Sequence, residues 1–324
     1  MTKPALLSTG PMMPLMVTRL EEAFEVHWRH TIGDFEAFLA GHGQRIEALC
    51  TGAHTGVKTD APLLARLPAL KIIGNYGVGY DSIDVAEAKS RGIVITNTPD
   101  VLTEEVADTT IGLLLMTVRE LSKAETWMRA GQWAATGADY PFTPSLRDRS
   151  VGLVGYGRIG KAIGRRLEAF GVPLCYFGRK PQKDAPLPFY NDLVAMAEDV
   201  DTLIVILPGG PATQNLIDAR VLEALGPRGV LINMARGSVV DEAALKTALR
   251  SGTILAAGLD VFLNEPRIDP DLLTIPNLTV LPHVGSASVY TRSKMGNLTV
   301  DNLLAYKAKK APMTPVPETP FKSW

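Results

Sequence analysis

Three side chains that can hold or transfer a proton follow apolar runs in the second half of this chain. Of the five histidines, four lie in the first 54 residues and the fifth is His283. Arg236 and Glu265 precede it, and each of the three comes just after an apolar run typical of a strand. Because the carboxyl ends of neighbouring parallel strands meet at one edge of a sheet, a cation, a carboxylate and an imidazole placed there would form a proton-transfer site.

An arginine, a glutamate and a histidine placed together can assist the reduction of a carbonyl group, each in a different way. A buried Glu265 that accepts a hydrogen bond from one imidazole nitrogen would fix the tautomer of His283 and stabilise its charged form. The other nitrogen would donate a proton to a carbonyl oxygen as hydride arrives. The guanidinium of Arg236 would bind a substrate carboxylate or polarise the adjacent ketone. The alternative for His283 is a hydrogen-bonded loop residue with no catalytic part.

Two aspartates offer Arg236 an alternative part in a structural salt bridge. Asp241 precedes the helical stretch 242–249 and is predicted to cap it. Asp260 is expected to support the orientation of the catalytic side chains. We therefore prefer the catalytic interpretation of Arg236.

A glycine-rich turn follows a predicted strand at Val151–Val154. Residues 155–160 have the pattern G-x-G-x-x-G and open a helix with one apolar face. Gly155 allows a tight turn, Gly157 lets the backbone approach a pyrophosphate, and Gly160 permits close packing of helix on strand. The helix N-terminus would point its free N–H groups at the phosphates, and a merely structural turn is the alternative. The residues predicted to contact the dinucleotide here are Gly155, Tyr156, Gly157, Arg158, Ile159 and Gly160.

The loop after the next predicted strand, Leu174–Phe177, indicates which dinucleotide binds. An acidic residue at this place accepts hydrogen bonds from the ribose of NAD, but the sequence is Gly178-Arg179-Lys180. Glycine leaves room for a 2′-phosphate, and Arg179 and Lys180 can form charge-assisted hydrogen bonds with it. The sequence therefore predicts NADPH (NADP) as the preferred cofactor and NADH as the second candidate. The alternative is a pair of solvated loop cations.

A second glycine turn, in the first hundred residues, is a candidate anion site. Residues 77–79 follow a predicted strand, and their backbone N–H groups can converge on a carboxylate. Val78 and Gly79 are therefore predicted to bind the substrate, with a plain structural turn as the alternative. An earlier loop adds Ala53 as a predicted substrate contact, and its neighbour His54 either contacts substrate or faces solvent.

The order of predicted elements indicates an α/β protein with two domains. At 324 residues the chain exceeds the usual size of a single core. Apolar runs alternate with helical patterns, which favours parallel sheets covered on both faces. One long helix is predicted over Thr103–Ala130. A helix after Ser286 returns the chain to the first domain, so the predicted domains are residues 1–98 with 287–324 and residues 99–286. The predicted strands are Ala5–Ser8, Ala23–Trp28, Ile46–Thr51, Leu70–Asn75, Ile93–Thr96, Val151–Val154, Leu174–Phe177, Thr202–Leu207, Val230–Met234, Ala256–Phe262 and Leu278–Leu281.

Composition argues against several classes of protein. The formal net charge of −1 gives no electrostatic reason to expect nucleic acid or an anionic membrane as a partner. The first apolar run is too short for a signal peptide or a membrane span, so a cytoplasmic location is expected. Cys50 and Cys175 are too few for a disulfide scaffold and lack metal-ligand spacing. We expect two small buried side chains and no metal site.

Five segments together resemble the D-isomer-specific 2-hydroxyacid dehydrogenases. They are residues 154–160, 233–241, 258–262, 264–266 and 282–286, in the order that the family has them. The resemblance implies two Rossmann/flavodoxin-like doubly wound parallel-sheet domains with the cleft between them. It also implies that the catalytic domain is discontinuous and that a homodimer forms mainly through the Rossmann domains.

The resemblance also implies parts for particular residues and a substrate class. It implies a catalytic triad of Arg236, Glu265 and His283. Residues 177–181 are similar to those of the NADPH-preferring glyoxylate/hydroxypyruvate reductases, which implies reduction of small 2-oxoacids to D-2-hydroxyacids. Segments 51–56 and 207–213 depart from the family's usual sequences. Further residues that the resemblance places at the cofactor are Thr103, Pro208, Thr213, Ala235, Asp260 and Gly285.

Two other functions are compatible with these features. One is an NAD-linked dehydrogenase of another D-2-hydroxyacid, which keeps the triad but not the NADPH preference. The other is a nucleotide-sensing corepressor, a binding protein of the same fold in which the ligand changes the oligomeric state. The compact chain, without a long disordered tail, favours a metabolic enzyme.

Overall fold

The structure, a computed structural model of the chain, describes residues 3–52 and 55–324. The chain divides into two units. Met1–Leu102 and Ser288–Trp324 form what we call the terminal unit, and Thr103–Ala287 forms the central unit. The functions predicted for the two parts, substrate binding and dinucleotide binding, remain predictions.

A five-stranded parallel sheet forms the centre of the terminal unit. The strands lie in the order β2-β1-β3-β4-β5, and the direction of the chain across the sheet reverses between β1 and β3. This is the flavodoxin-like order. Residues on both faces of β1, β4 and β5 are buried, as expected where helices cover a parallel sheet. The strands are β1 Ala5–Ser8, β2 Glu25–Trp28, β3 Ile46–Thr51, β4 Ile72–Asn75 and β5 Val94–Thr96.

Aspartates begin three of the helices of the terminal unit. Asp34, Asp60 and Asp84 each accept a hydrogen bond from a backbone amide in the first helical turn. The tail after the last helix lies along the edge strand β5, where the amide of Val316 donates to the carbonyl oxygen of Ile95 at 2.9 Å. The tail therefore covers an edge that would otherwise expose unpaired backbone groups. The helices are α1 Pro14–Ala23, α2 Phe35–His42, α3 Ala61–Ala65, α4 Val85–Ser90 and, after the central unit, α12 Val289–Lys307.

A seven-stranded parallel sheet forms the centre of the central unit. Its strands lie in the order β12-β11-β10-β9-β6-β7-β8. The chain runs outward in one direction from β6 to β8 and in the other from β9 to β12, so the topological switch lies between β6 and β9. Ligands of such sheets bind at the carboxyl ends of the strands beside this switch. The strands are β6 Val151–Val154, β7 Leu174–Phe177, β8 Phe189–Tyr190, β9 Thr202–Val205, β10 Val230–Asn233, β11 Ala256–Leu259 and β12 Leu278–Val280.

The predicted single helix over Thr103–Ala130 is wrong, because the structure has two helices there. Glu120 lies between them with a φ of 50°, and this left-handed conformation cannot continue a right-handed helix. The Glu120 carboxylate accepts hydrogen bonds from Lys123 Nζ at 2.7 Å and Tyr140 Oη at 3.2 Å. The helices of the central unit are α5 Thr103–Val118, α6 Leu121–Arg129, α7 Gln132–Thr136, α8 Arg158–Glu168, α9 Leu193–Asp199, α10 Ala219–Leu225 and α11 Glu242–Ser251.

The predicted α/β class with two doubly wound parallel sheets is confirmed. Every predicted strand is present, and the structure adds the short edge strand β8, which the sequence patterns did not predict. The helices that the sequence patterns did not predict are α2, α3, α7, α9 and α10. Cys50 and Cys175 are buried, as expected. Among residues 3–52 and 55–324, no helix has the length and apolar character needed to cross a membrane.

Candidate active site

The three predicted catalytic residues follow three strands that lie side by side. Arg236 comes after β10, Glu265 after β11 and His283 after β12, and these strands are adjacent in the central sheet. β10 pairs with β11 and β11 pairs with β12, both in the parallel direction. The three residues therefore lie beyond the carboxyl edge of one sheet.

His283 and Glu265 form a hydrogen-bonded pair. Nδ1 of the imidazole lies 2.6 Å from Oε2 of the carboxylate. The second carboxylate oxygen, Oε1, accepts a hydrogen bond from the amide of Phe262 at 2.9 Å. The expected burial of Glu265 is wrong: its side chain is 33% exposed, because the turn after β11 carries it away from the core. With Nδ1 engaged by the carboxylate, Nε2 is the nitrogen that can donate to a substrate.

The surroundings of Glu265 lower the pKa of its carboxyl. Partial burial acts to raise this pKa, but the hydrogen bond and charge of His283, the amide of Phe262 and the charge of Arg236 together outweigh it. Glu265 is therefore a carboxylate at neutral pH. An anion in this position fixes the orientation of the imidazole ring.

Asp260 fixes the turn that carries the imidazole. His283 has a φ of 54°, a left-handed conformation that residues other than glycine seldom adopt. Its amide donates to the carbonyl oxygen of Asp260 at 2.8 Å. The Asp260 carboxylate is 2% exposed and accepts hydrogen bonds from the amides of Val284 at 2.7 Å and Gly285 at 2.8 Å. Burial raises the pKa of Asp260 against the opposing effect of these two amides.

The turn that carries Arg236 is held by an asparagine and by close backbone packing. Asn233 donates through Nδ2 to the carbonyl oxygen of Arg236 and accepts through Oδ1 from the amide of Ala235, each at 3.0 Å. A Cβ on Gly237 would lie 1.9 Å from the carbonyl carbon of Phe262. Only glycine permits this approach, so the turns after β10 and β11 support each other.

The glycine turn after β6 leaves room for a phosphate. Gly155 has a φ of 107°, and a Cβ on Gly160 would lie 2.3 Å from the carbonyl oxygen of Gly155. A Cβ on Gly157 would meet no atom within 4 Å, so the backbone there faces open space. Gly157 is also the N-cap of α8 and has no side chain to occupy the first-turn amides. A dinucleotide phosphate fits this turn.

The loop that carries Arg179 and Lys180 follows β7, the neighbour of β6. Both cations are exposed. In the part of the chain that the structure describes, neither has a hydrogen-bond or ion-pair partner. The side chain of Tyr156, by contrast, is only 7% exposed and stacks on Tyr176 at 4.7 Å between ring centroids. Tyr156 can therefore face a dinucleotide mainly through its backbone.

The other residues implied at the cofactor lie in loops of the central unit. Thr213 Oγ1 donates to the carbonyl oxygen of Pro208 at 2.9 Å in the loop after β9. Thr103 is the first residue of α5, and Val106 in the next turn would lie 3.8 Å from a Cβ on Gly285. The beginning of α5 is thus close to the turn of His283.

In the terminal unit, the turn at residues 77–79 is tied down through its carbonyl groups. Asn75 Nδ2 donates to the carbonyl oxygens of residues 77 and 79 at 3.0 Å each, and Asn97 Nδ2 donates to that of Val78 at 2.9 Å. Among residues 3–52 and 55–324, the amides of Val78 and Gly79 have no acceptor. Two neighbouring amides in this state can bind an anion.

The match to known proteins identifies the family. The profile described as D-isomer specific 2-hydroxyacid dehydrogenase, NAD binding domain, matches residues 111–285, which is more than half of the chain. The chain belongs to this family. The predicted resemblance is confirmed, and the central unit of the dehydrogenase contains the NAD-binding domain.

Relatives of the dehydrogenase match along almost their whole length. It is 40% identical to 2-ketogluconate reductase of Gluconobacter oxydans, over 97% of this chain and 99% of that one. It is also 40% identical to glyoxylate/hydroxypyruvate reductase A HPR2 of Arabidopsis thaliana, over 94% and 96% of the two chains. Among solved structures, the NADPH-dependent glyoxylate/hydroxypyruvate reductase of Sinorhizobium meliloti, in complex with NADP and malonate, matches with 51% identity and a TM-score of 0.94, over 100% and 99% of the two chains. These names disfavour the corepressor alternative.

In each unit, the structure shows residues that hold the candidate turns and loops and that the sequence patterns did not single out. Asn75 and Asn233 hold the two turns described above, and Gln182 holds the loop after β7. Two of them, Asn75 and Asn233, are the last residues of buried strands, where a polar side chain needs a local partner, and this position was a usable signal. Ala53 and His54, which were predicted near the substrate, lie outside the described residues.

Replacement of Glu265 by glutamine tests the electrostatics of the pair through stability. A carboxyl whose pKa is lowered on folding stabilises the protein above its ordinary pKa of 4.5 and loses that effect as pH falls through the lowered value. The stability lost in Glu265→Gln should therefore be largest near pH 6 and should shrink towards pH 3. Urea unfolding of the dehydrogenase and of this variant across that range measures the difference. Glu223→Gln, on an exposed position of α10, is the control; a pH-independent difference for Glu265→Gln would contradict the assignment.

Proposed function

We propose that this dehydrogenase uses NADPH to reduce small 2-oxoacids, glyoxylate and hydroxypyruvate among them, to 2-hydroxyacids, which are D-2-hydroxyacids wherever the product is chiral. The observation that carries the proposal is the His283–Glu265 pair, at 2.6 Å, with Arg236 close enough to affect the Glu265 carboxyl. A proton donor, an anion that orients it and a cation for the substrate are the groups that this reaction requires. The printed names of the Arabidopsis and Sinorhizobium relatives support the substrate class.

Each side chain of the triad has one part in the proposed reaction. His283 donates the proton from Nε2 to the keto oxygen of the substrate. Glu265 accepts a hydrogen bond from Nδ1 and so keeps the imidazole oriented. Arg236 binds the substrate carboxylate through its planar guanidinium. In the terminal unit, the amides of Val78 and Gly79 are proposed to bind a substrate carboxylate oxygen.

The cofactor is proposed to lie on the turn at residues 155–160, with its phosphates at the N-terminus of α8. When bound, the reduced nicotinamide supplies the hydride to the keto carbon. Arg179 and Lys180 would hold the 2′-phosphate. Residues 99–286 are then the dinucleotide-binding domain, and residues 1–98 with 287–324 are the substrate-binding domain. The other proposed contacts with the cofactor are Thr103, Pro208, Thr213, Ala235, Asp260 and Gly285.

A panel of 2-oxoacids tests the activity directly. The loss of NADPH absorbance is followed with glyoxylate, hydroxypyruvate, pyruvate, 2-ketogluconate and hydroxyphenylpyruvate as substrates. We expect the highest kcat/KM with glyoxylate and hydroxypyruvate, and a product of D configuration from hydroxypyruvate. A clear preference for 2-ketogluconate would replace the proposed substrate class with that of the Gluconobacter relative. Absence of turnover with all five acids and either cofactor would refute the proposal.

Removal of the two loop cations should lower the activity with NADPH and leave the activity with NADH nearly unchanged. In Arg179→Ala/Lys180→Ala we expect kcat/KM with NADPH to fall roughly 10- to 100-fold, because charge-assisted hydrogen bonds to the 2′-phosphate are lost. The value with NADH, which has no such phosphate, should stay within about twofold. Lys183→Ala, which removes an exposed cation further along the same loop, is the control. Comparable kcat/KM for the two cofactors in the wild-type enzyme would refute the NADPH preference and favour the NAD-linked alternative.

The predicted homodimer is also proposed, through α6, α7 and the loop that follows them. No residue of α6 or α7 is buried, yet this surface carries four large apolar side chains. Met128 and Trp133 line one shallow groove, and exposed apolar surface of this kind is typical of an interface between proteins. The four side chains are Leu121, Met128, Trp133 and Phe142. Size-exclusion chromatography with light scattering measures the molar mass, and the mass of a monomer would refute the proposal.

The cytoplasmic location expected from the sequence remains a proposal that cell fractionation would check.

A further inference from the structure

The loop that carries Arg179 and Lys180 is anchored on both sides of the two cations. On the upstream side, the amide of Gly178 donates to the carbonyl oxygen of Tyr190 at 3.4 Å. On the downstream side, Gln182 makes three hydrogen bonds. Most of the fixed geometry of this loop therefore comes from one residue, Gln182.

The three hydrogen bonds of Gln182 reach three different partners. Its amide donates to the hydroxyl oxygen of Tyr176 at 2.8 Å, and its Nε2 donates to the carbonyl oxygen of Tyr156 at 2.5 Å. Its own carbonyl oxygen accepts from the amide of Ala185 at 3.2 Å. Gln182 thus ties the loop to strand β7, to the glycine turn and to its own next turn.

The partners of Gln182 are rigid parts of the fold. Tyr176 lies within β7 and is 1% exposed. Tyr156 is the second residue of the glycine turn, and its ring stacks on that of Tyr176 with 28° between the planes. A loop that is bonded to both tyrosines takes its position from the same residues that shape the phosphate turn.

Within the described residues, the side chains of the two cations take no part in anchoring the loop. Arg179 and Lys180 are exposed and, within residues 3–52 and 55–324, have no partner that would orient their side chains. Each has long flexible side-chain stems, and ordering them on a ligand costs free energy. A guanidinium must also be placed within about 0.5 Å to make paired hydrogen bonds with a phosphate. The backbone of the loop must therefore supply the placement.

We infer that Gln182 is a positioning residue that sets the preference of this enzyme for a dinucleotide with a 2′-phosphate. This inference rests on the proposed contact of Arg179 and Lys180 with that phosphate. Gln182 fixes the loop relative to the glycine turn. The loop in turn places the two cations at the position that the 2′-phosphate of the bound dinucleotide would take. Loss of its side-chain hydrogen bond frees the loop and weakens only the interactions that the 2′-phosphate makes.

Calorimetric binding to the full-length protein tests this without turnover. Gln182→Met keeps the length of the side chain and removes the Nε2 donor. We expect the Kd for NADP⁺ to rise about 5- to 20-fold and the Kd for NAD⁺ to stay within about twofold. The fragments 2′,5′-ADP and 5′-AMP differ only in the 2′-phosphate. The Kd for 2′,5′-ADP should rise in the variant, and the Kd for 5′-AMP should stay unchanged.

A second variant and a matched control separate positioning from general damage. Tyr176→Phe removes the hydroxyl acceptor, and its effect on NADP⁺ should be less than additive with that of Gln182→Met, because both act on one loop. Gln44→Met makes the same substitution at an exposed position of the terminal unit and should leave both Kd values unchanged. Thermal unfolding of each variant confirms that it is folded.

The outcomes distinguish this inference from the proposed function. A strong wild-type preference for NADP⁺ that Gln182→Met leaves unchanged would overturn the inference alone. An equal rise in Kd for NADP⁺ and NAD⁺ would overturn it too, since Gln182 would then support the whole dinucleotide site. A wild-type protein that binds NAD⁺ as tightly as NADP⁺ would overturn the cofactor assignment, and the inference with it.

Discussion

Replacement of His283 by alanine should lower kcat for 2-oxoacid reduction by ~10²–10⁴. The imidazole is held by Glu265 at 2.6 Å through Nδ1 and is presented by a left-handed backbone that Asp260 fixes. An alanine there removes the proton donor and leaves the carboxylate in place. The keto oxygen would then have to take its proton from water as the negative charge develops. The measurement is kcat at saturating NADPH and saturating glyoxylate.

The effect should be confined to the chemical step. Cofactor affinity measured by calorimetry should change little in His283→Ala, because the phosphate turn follows a different strand, β6. His30→Ala, at an exposed position of the terminal unit, is the matched control and should keep the wild-type kcat. Turnover of His283→Ala within a few-fold of the wild type would remove His283 as the proton donor, and with it the central step of the proposed mechanism.

The strands were the part of the fold that the sequence predicted best. Four strands have the predicted bounds, and every strand of the central sheet except the short edge strand β8 was predicted. The prediction for β9 ran on to Leu207, whereas the strand ends at Val205. Apolar residues continue past the last ladder hydrogen bond because the loop they enter still packs on the core. Hydrophobic patterns therefore locate a buried strand but overestimate its length. The four strands are Ala5–Ser8, Ile46–Thr51, Val151–Val154 and Leu174–Phe177.

The helix prediction failed where one residue left the regular conformation. The apolar spacing continues through Glu120, so periodicity alone predicts one helix. At the break, the Glu120 carboxylate accepts hydrogen bonds from Lys123 and from Tyr140, which is twenty positions along the chain. Interactions of this range are not visible in a local pattern.

The residues that meet at the candidate site were predicted from the order of the strands rather than from any single motif. Three polar residues after three successive parallel strands must meet at one edge of the sheet, which is why the pairing of His283 with Glu265 could be predicted. The residues that hold the turns could not be found in the same way. Asn233 and Gln182 act mainly on backbone groups, and a backbone carbonyl leaves no signature in the sequence of its partner.

Replacement of Arg236 by glutamine should lower kcat/KM for glyoxylate by about 10²–10³. Asn233 and the close packing at Gly237 fix the turn of Arg236 beside that of Glu265. The guanidinium is a cation with a planar pair of donors, which matches a carboxylate and which glutamine cannot replace. Steady-state kinetics with a series of substrates measures the loss. Arg220→Gln, at a side chain that is 80% exposed on α10, is the control.

A substrate without a carboxylate separates the two parts that Arg236 could play. If the guanidinium binds the substrate carboxylate, as proposed, Arg236→Gln should lose much more activity with glyoxylate than with glycolaldehyde, which has an aldehyde but no carboxylate. If it polarises the carbonyl group instead, both substrates should lose the same factor, and that result would contradict the proposed part. Arg236→Lys then isolates geometry from charge. Lysine keeps the cation that helps to lower the pKa of Glu265 but has no planar fork, so a large residual loss in Arg236→Lys would show that the reaction depends on paired hydrogen bonds to the carboxylate.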